Sequence, residues 1–170
     1  MFKHKKLVTA AFVIIAFSTG TLMAATATSN MSVSATVSNS CTISAGSLGF
    51  GAYDPIVTNA ATNLDQSATL TVTCTNAAAT TITLGQGSNA GGGSTDAAPA
   101  RRLTDGTNFL SYALYQDVSR TTVWGNTAGT GKAYTGTGTS GSVSVYGRVT
   151  SAQNVPAGSY TDTVVATITF

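Results

Sequence analysis

Cys41-Thr42-Ile43, then Leu48-Gly49-Phe50-Gly51-Ala52-Tyr53-Asp54-Pro55, with the only other cysteine at Cys74, is the stretch whose reading decides the fold. A short apolar strand runs into a glycine-rich turn and an aromatic-proline corner, with one disulfide available to staple it. Such an arrangement suits a small exported β domain and holds none of the groups an enzyme ordinarily uses. Function is expected to lie in the strands rather than in a catalytic pocket.

The start of the chain supports export. Lys3, Lys5 and Lys6 give a basic head, and an apolar run from Leu7 to Phe17 is followed by small residues ending near Ala24 or Ala25. This is the three-part layout of a secretory signal peptide, and the run is short for a membrane anchor. Cleavage is expected after Ala24, with Ala25-Thr26-Ala27 as a second small-x-small site. Residues 1–24 take three of the eight basic residues with them, leaving five against six aspartates, a net charge of −1. The positive balance of the full chain is therefore a targeting signal rather than a footprint for nucleic acid. Dense Thr, Ser and Asn keep the mature chain polar with little charge, which suits packing against copies of itself.

About 146 residues remain, enough for one domain with one core. Two cysteines in an exported chain imply a single disulfide, Cys41–Cys74. Period-two alternation recurs, and no mature segment carries helical periodicity. Strands are expected over residues 28–38, 66–75, 80–85, 109–117, 142–149 and 160–170. Turns are expected at Asp54-Pro55, Asp105-Gly106 and Pro156-Ala157-Gly158, with long loops from Gly85 to Asn108 and from Gly125 to Gly141. Many short β-branched strands with Gly-rich turns indicate an all-β sandwich.

Candidate sites fare poorly. Gly136-Thr137-Gly138-Thr139-Ser140-Gly141 matches a phosphate-loop string but leads into a strand instead of a helix. Gly129-Thr130-Gly131-Lys132 lacks the distant first glycine and the following hydroxyl residue of a P-loop. Asp54, Asp65, Asp96, Asp105, Asp117 and Asp162 are explained as turn and strand-end residues. The sole histidine, His4, falls in the signal, so a serine nucleophile would have only Lys132 as partner. Arg101-Arg102 reads as a solvated turn, Trp124 as a core or sheet-edge aromatic, and Asn30-Met31-Ser32 as a chance glycosylation string. An enzyme is not expected, nor a cofactor, a metal, a nucleic acid or a small-molecule substrate.

The two ends are more telling. Met31, Val33, Ala35 and Val37 alternate with polar residues, just before a polar joint at Ser38-Asn39-Ser40, and the sequence stops on a strand at Phe170. Residues 31–37 read equally well as the first strand of their own sandwich or as a free strand that completes a neighbour's sheet.

The Cys41-to-Pro55 block with Cys74 resembles the spore coat protein U domain, a family that includes the archaic chaperone–usher (Csu-type) pilin subunits. Three further stretches share the resemblance: Leu110 to Asp117, Arg120 to Gly125, and the ending from Pro156 to Phe170. It implies an incomplete immunoglobulin-like β-sandwich, lacking its last strand and completed by donor-strand exchange. By the same resemblance, residues 25–38 are the donor segment and 39–170 the sandwich domain. Met31, Val33, Ala35 and Val37 would enter a neighbour's groove. Val164, Ala166, Ile168 and Phe170 would line the acceptor groove and contact a periplasmic chaperone, and Cys41–Cys74 would pin the first strand. The implied partners are like subunits, the chaperone and an outer-membrane usher. The implied role is a structural subunit of a surface fimbrium serving adhesion and biofilm formation. A non-fibrous exported coat or matrix protein and a minor or tip adhesin are the alternatives.

Overall fold

A computed structural model describes residues 20, 21 and 23–170. The signal peptide read over residues 1–24 therefore falls almost wholly outside the described residues. Residues 23–35 carry no strand and are exposed throughout. The strand expected over 28–38 is thus not formed in the isolated chain, and the first strand is the one starting at Cys41.

From residue 36 on, the chain is all-β, with no helix among the described residues. Eight strands form: β1 Cys41–Ala45, β2 Leu64–Cys74, β3 Ala79–Leu84, β4 Arg101–Thr104, β5 Phe109–Tyr115, β6 Lys132–Thr135, β7 Ser140–Val149 and β8 Ala166–Thr169. One sheet has five strands in the order β1-β2-β7-β5-β4, the other three in the order β6-β3-β8. Every ladder is antiparallel. Alternation sets the faces: Leu70, Val72 and Cys74 of β2, Leu110, Tyr112 and Leu114 of β5, and Val143, Val145 and Val149 of β7 are buried. Ile82 and Leu84 answer them from β3.

Cys41 and Cys74 face each other across the β1–β2 ladder and are bonded, with S–S at 2.04 Å. Beyond Ala45 the ladder ends with Gly46 N donating to Thr69 O at 3.1 Å, and the chain turns over the open side of the core. There Leu48 and Phe50 pack inward against Gly147, where a Cβ would come within 2.9 Å of the Phe50 ring. Phe50 meets Tyr112 edge-on, with ring centroids 5.8 Å apart. The corner that follows is rigid. Asp54 Oδ1 accepts from Ile56 N and Val57 N, and the buried Asn59 side chain ties Asp54 N to Thr62 O.

Two expected loops prove to contain strands. The 85–108 stretch holds β4 and the 125–141 stretch holds β6, and the loops are joined where Asn126 N donates to Asp96 O at 2.6 Å. Arg101 is not in a solvated turn. It is 1% exposed, and its guanidinium crosses from β4 to the other sheet. Nε donates to Gly85 O at 2.8 Å, and Nη2 donates to Leu84 O at 2.7 Å and Trp124 O at 2.8 Å. Burial lowers its pKa to about 10, partly offset by Tyr112 and Asp162, so it stays charged at neutral pH. Of the core and sheet-edge positions expected for Trp124, the core is the one it takes: it is fully buried, and its Nε1 donates to Ile82 O at 2.8 Å.

Replacing Arg101 by Leu leaves three carbonyls without their donor. Urea denaturation of the mature chain should register a loss of roughly 3 kcal/mol or more, since each unsatisfied buried group costs about 1–3 kcal/mol. Arg101→Lys should recover little of it, because a point ammonium does not reproduce the fork. Reducing the disulfide should cost a further ~3–4 kcal/mol from the loop it closes.

Candidate functional site

The C-terminal segment changes sheets as it runs. Thr161 exchanges both backbone hydrogen bonds with Thr104 of β4, each at 2.9 Å, which places it beside the larger sheet. Four residues later Val165 O accepts from Gly85 N at 2.8 Å, and β8 then pairs with β3 of the smaller sheet, Ala166 opposite Leu84 and Ile168 opposite Ile82. A regular ladder therefore covers only the end of the strand expected over 160–170. β8 has β3 as its single neighbour, and β1 has β2 as its single neighbour. Each has one edge without a ladder partner, and the two strands approach each other there.

An apolar groove opens between the 46–55 stretch and this crossing segment. A cavity of about 310 Å³ has Leu70, Leu114 and Val145 at its base, with Leu48 on one wall and Val164 and Ala166 on the other. A second cavity, about 670 Å³, continues toward Tyr53, Val155 and Tyr160. The two share Leu48, Phe50, Leu103 and Asp162, so the groove is continuous. The crossing segment alternates as expected: Tyr160, Asp162, Val164, Ala166 and Ile168 are half-buried, while Thr161, Thr163, Val165 and Thr167 are exposed. None of its apolar residues reaches full burial although several pack on the core.

Of the residues singled out in the sequence, Val164 and Ala166 line the smaller cavity. Ile168 lies on the same face within the β3 ladder, and Phe170, 54% exposed, lies past its end. Met31, Val33 and Val37 are 87%, 85% and 83% exposed, and Ala35 is exposed too. Asp162, expected at a turn or strand end, is instead a half-buried, inward-facing groove residue. Its Oδ2 accepts from Tyr112 Oη at 2.7 Å, and its Oδ1 accepts from Ser88 N, Asn89 N and Asn89 Nδ2 at 2.9–3.2 Å. Burial, then the bond to Asp162, pushes the Tyr112 hydroxyl well above its usual range, so it remains a donor. The one available sequence signal was the carboxylate's phase, in step with Tyr160, Val164 and Ala166.

The remaining aspartates hold local structure. Asp65 takes both prongs of Arg148 at 2.7 Å, with Arg120 at 3.4 Å, and Asp96 binds Gln86 and Asn126. Asp105 accepts from Thr107 N and Asn108 N, and Asp117 accepts from Thr121 N and Thr122 N. Among the described residues no group of three His, Cys, Asp or Glu side chains is placed to hold a metal ion. The geometry offers an unfilled apolar slot bordered by backbone, able to take an extended chain.

Residues 27–167 match the Spore Coat Protein U domain, and the chain belongs to that family. It is 50% identical over 171 residues to Protein U of Myxococcus xanthus, covering 96% of this chain and 94% of that protein. Among solved structures, it is similar to a chain of the CsuC–CsuE chaperone–tip adhesion subunit pre-assembly complex, from archaic chaperone–usher Csu pili of Acinetobacter baumannii. That likeness has a TM-score of 0.56 at 19% identity, over 79% of this chain and 40% of the other. It is a likeness of fold, and it agrees with the incomplete immunoglobulin-like sandwich expected from the sequence.

Hydrogen bonds lower the pKa values of Asp54, Asp65, Asp96, Asp105 and Asp117, from Arg148 for Asp65 and chiefly from Asn108 for Asp105, which falls to about 2. A carboxyl that is more acidic folded than unfolded stabilises the fold above its unfolded pKa, and that contribution is lost as pH falls through the folded value. The melting temperature of the mature chain should hold steady down to about pH 4 and decline from there toward pH 2. A melting temperature flat across that window would contradict the assignment.

Proposed function

We propose that this chain is a structural subunit of a surface fibre built by the chaperone–usher route, in which each subunit's N-terminal segment completes the sandwich of the next. The observation that carries the reading is the open apolar groove beside β8, a strand with one edge lacking a ladder partner, in a chain whose alternating 31–37 segment is exposed and unpaired. A groove of this kind leaves backbone groups and apolar surface in contact with water, which favours aggregation of a lone subunit. An inserted strand pairs those groups and buries Val33, Val37 and Met31, at about 1.5–3 kcal/mol for each large side chain fully buried. Repeated head to tail, the contact is heterologous and does not close, so it yields a fibre.

In this reading Met31, Val33, Ala35 and Val37 are the donor residues, and Val164, Ala166, Ile168 and Phe170 border the acceptor side. A periplasmic chaperone occupies the groove before assembly, and an outer-membrane usher is the site of exchange. The CsuC–CsuE complex, a chaperone with a pilus subunit, supports this partnership by likeness of fold. Export follows from the signal peptide, and among the described residues no helix is long and apolar enough to cross a membrane. The fibre's work is adhesion and biofilm formation rather than catalysis. The family's description favours a second reading, a non-fibrous exported coat or matrix protein.

Mature protein lacking residues 25–37 should fail to form polymers, as read by light scattering, while still binding its chaperone. Adding a synthetic peptide of residues 25–37 should raise its melting temperature, and the rise should vanish when Val33 and Val37 of the peptide become Asn. Polymers formed by the deletion, or no shift with the peptide, would remove the donor assignment. Fibres seen by electron microscopy would favour the pilus over the coat, and amorphous sheets the reverse.

A further inference from the structure

The groove has a fixed charge at its middle. Asp162 is the residue of the crossing segment that lies in both cavities, with Tyr160 on one side and Val164 and Ala166 on the other. Its carboxylate is held by four hydrogen bonds, from Tyr112, Ser88 and Asn89, and cannot swing away without stranding those donors. Gly87, at φ +87°, passes so close to Asp162 that no Cβ would fit, which closes the far side as well. An apolar side chain pressed over a carboxylate strips its remaining water with nothing in return. The position opposite Asp162 therefore accepts only a small residue, whereas the cavities on either side accept branched apolar ones.

The alternating 31–37 stretch of the donor segment has one such position. Along its apolar face, Met31, Val33 and Val37 are large and Ala35 is small. Same-face residues of a strand repeat about every 6.6–6.8 Å, and Tyr160, Asp162 and Val164 likewise alternate with exposed residues along the crossing segment. Building on the donor-strand reading above, we infer that Asp162 sets the register of the incoming strand by selecting Ala35 opposite it. Val33 and Val37 then fall one step to either side, one over each cavity, whichever way the donor runs. Asp162 is thus a specificity residue: it admits a large-small-large donor and rejects one that is bulky at the centre.

The test is a size scan. Synthetic peptides of residues 25–38, with Leu placed singly at 33, 35 or 37, are titrated against the mature chain carrying Val33→Asn and Val37→Asn, so that its own segment does not compete. Ala35→Leu, which adds apolar area, should nonetheless weaken binding by about tenfold or more, a cost set by desolvating the carboxylate. Val33→Leu and Val37→Leu should bind as well as the parent peptide or better. In an acceptor that also carries Asp162→Asn, the penalty at 35 should shrink while the effects at 33 and 37 stay as they were. Trp124 fluorescence checks that this variant is folded, and the scan on the Asp162 acceptor stands without it. Parent-like binding of Ala35→Leu, or a size penalty at 33 or 37 instead, would overturn the register and leave the donor reading intact. If the parent peptide does not bind at all, the donor reading falls and the register with it.

Discussion

β-Strands need partners on both edges or a means of blunting the edge they leave free, and this sandwich leaves one edge of β8 without a ladder partner. The larger sheet has five strands and the smaller only three. The C-terminal segment has to serve both, first bridging to β4 at Thr161 and then pairing with β3 from Ala166. A segment stretched between two sheets cannot seal the side it crosses. The half-burial of Val164, Ala166 and Ile168, the two linked cavities and the exposed Phe170 all follow from that shortage of one strand.

A sandwich open along one side needs other ties between its layers, and side chains behind the groove supply them. Arg101 reaches from β4 to the carbonyls at the end of β3, where a side chain replaces ladder bonds that the smaller sheet is too short to supply. Trp124 does the reverse, taking its backbone partner from Leu114 of β5 and giving its indole proton to Ile82 of β3. The Cys41–Cys74 bond fastens the other edge strand at its start. A buried guanidinium is costly when its partners are incomplete, and Nη1 of Arg101 has none. The fold tolerates this because the same group satisfies three carbonyls, those of Leu84, Gly85 and Trp124.

Where period two and burial agreed, the sequence was legible: β2 and β7 show their inward face in the alternation, and the cystine follows from the cysteine count, whereas 109–117 reads as a strand apolar on both faces and only the fold buries Leu110, Tyr112 and Leu114. The inward phase of 160–168 was also readable. What escaped were the strands whose chemistry contradicts their burial. β4 begins Arg101-Arg102 and reads as a polar turn, because nothing local says that one arginine will find carbonyls from two other segments. β6, four residues starting at Lys132, is too short to show alternation. Asp162 was hidden for the same reason as Arg101. Its partners come from positions some 50 and 70 residues away, and a carboxylate between strands reads as turn chemistry until the fold brings them together.

The buried Arg101 and the half-buried Asp162 also explain how an open groove keeps its shape. An apolar slot with no occupant would ordinarily collapse, since closing it removes the same surface from water that a donor strand would. Here the crossing segment is held at its midpoint by the Asp162 carboxylate, on a loop whose other end carries the carbonyls bound by Arg101. Moving Asp162 inward to fill the space would break directional bonds to a charged group, each worth about 1.5–3 kcal/mol. Polar anchoring thus opposes apolar collapse, and the groove remains available to an extended chain because the residue at its centre is the one least able to leave its place.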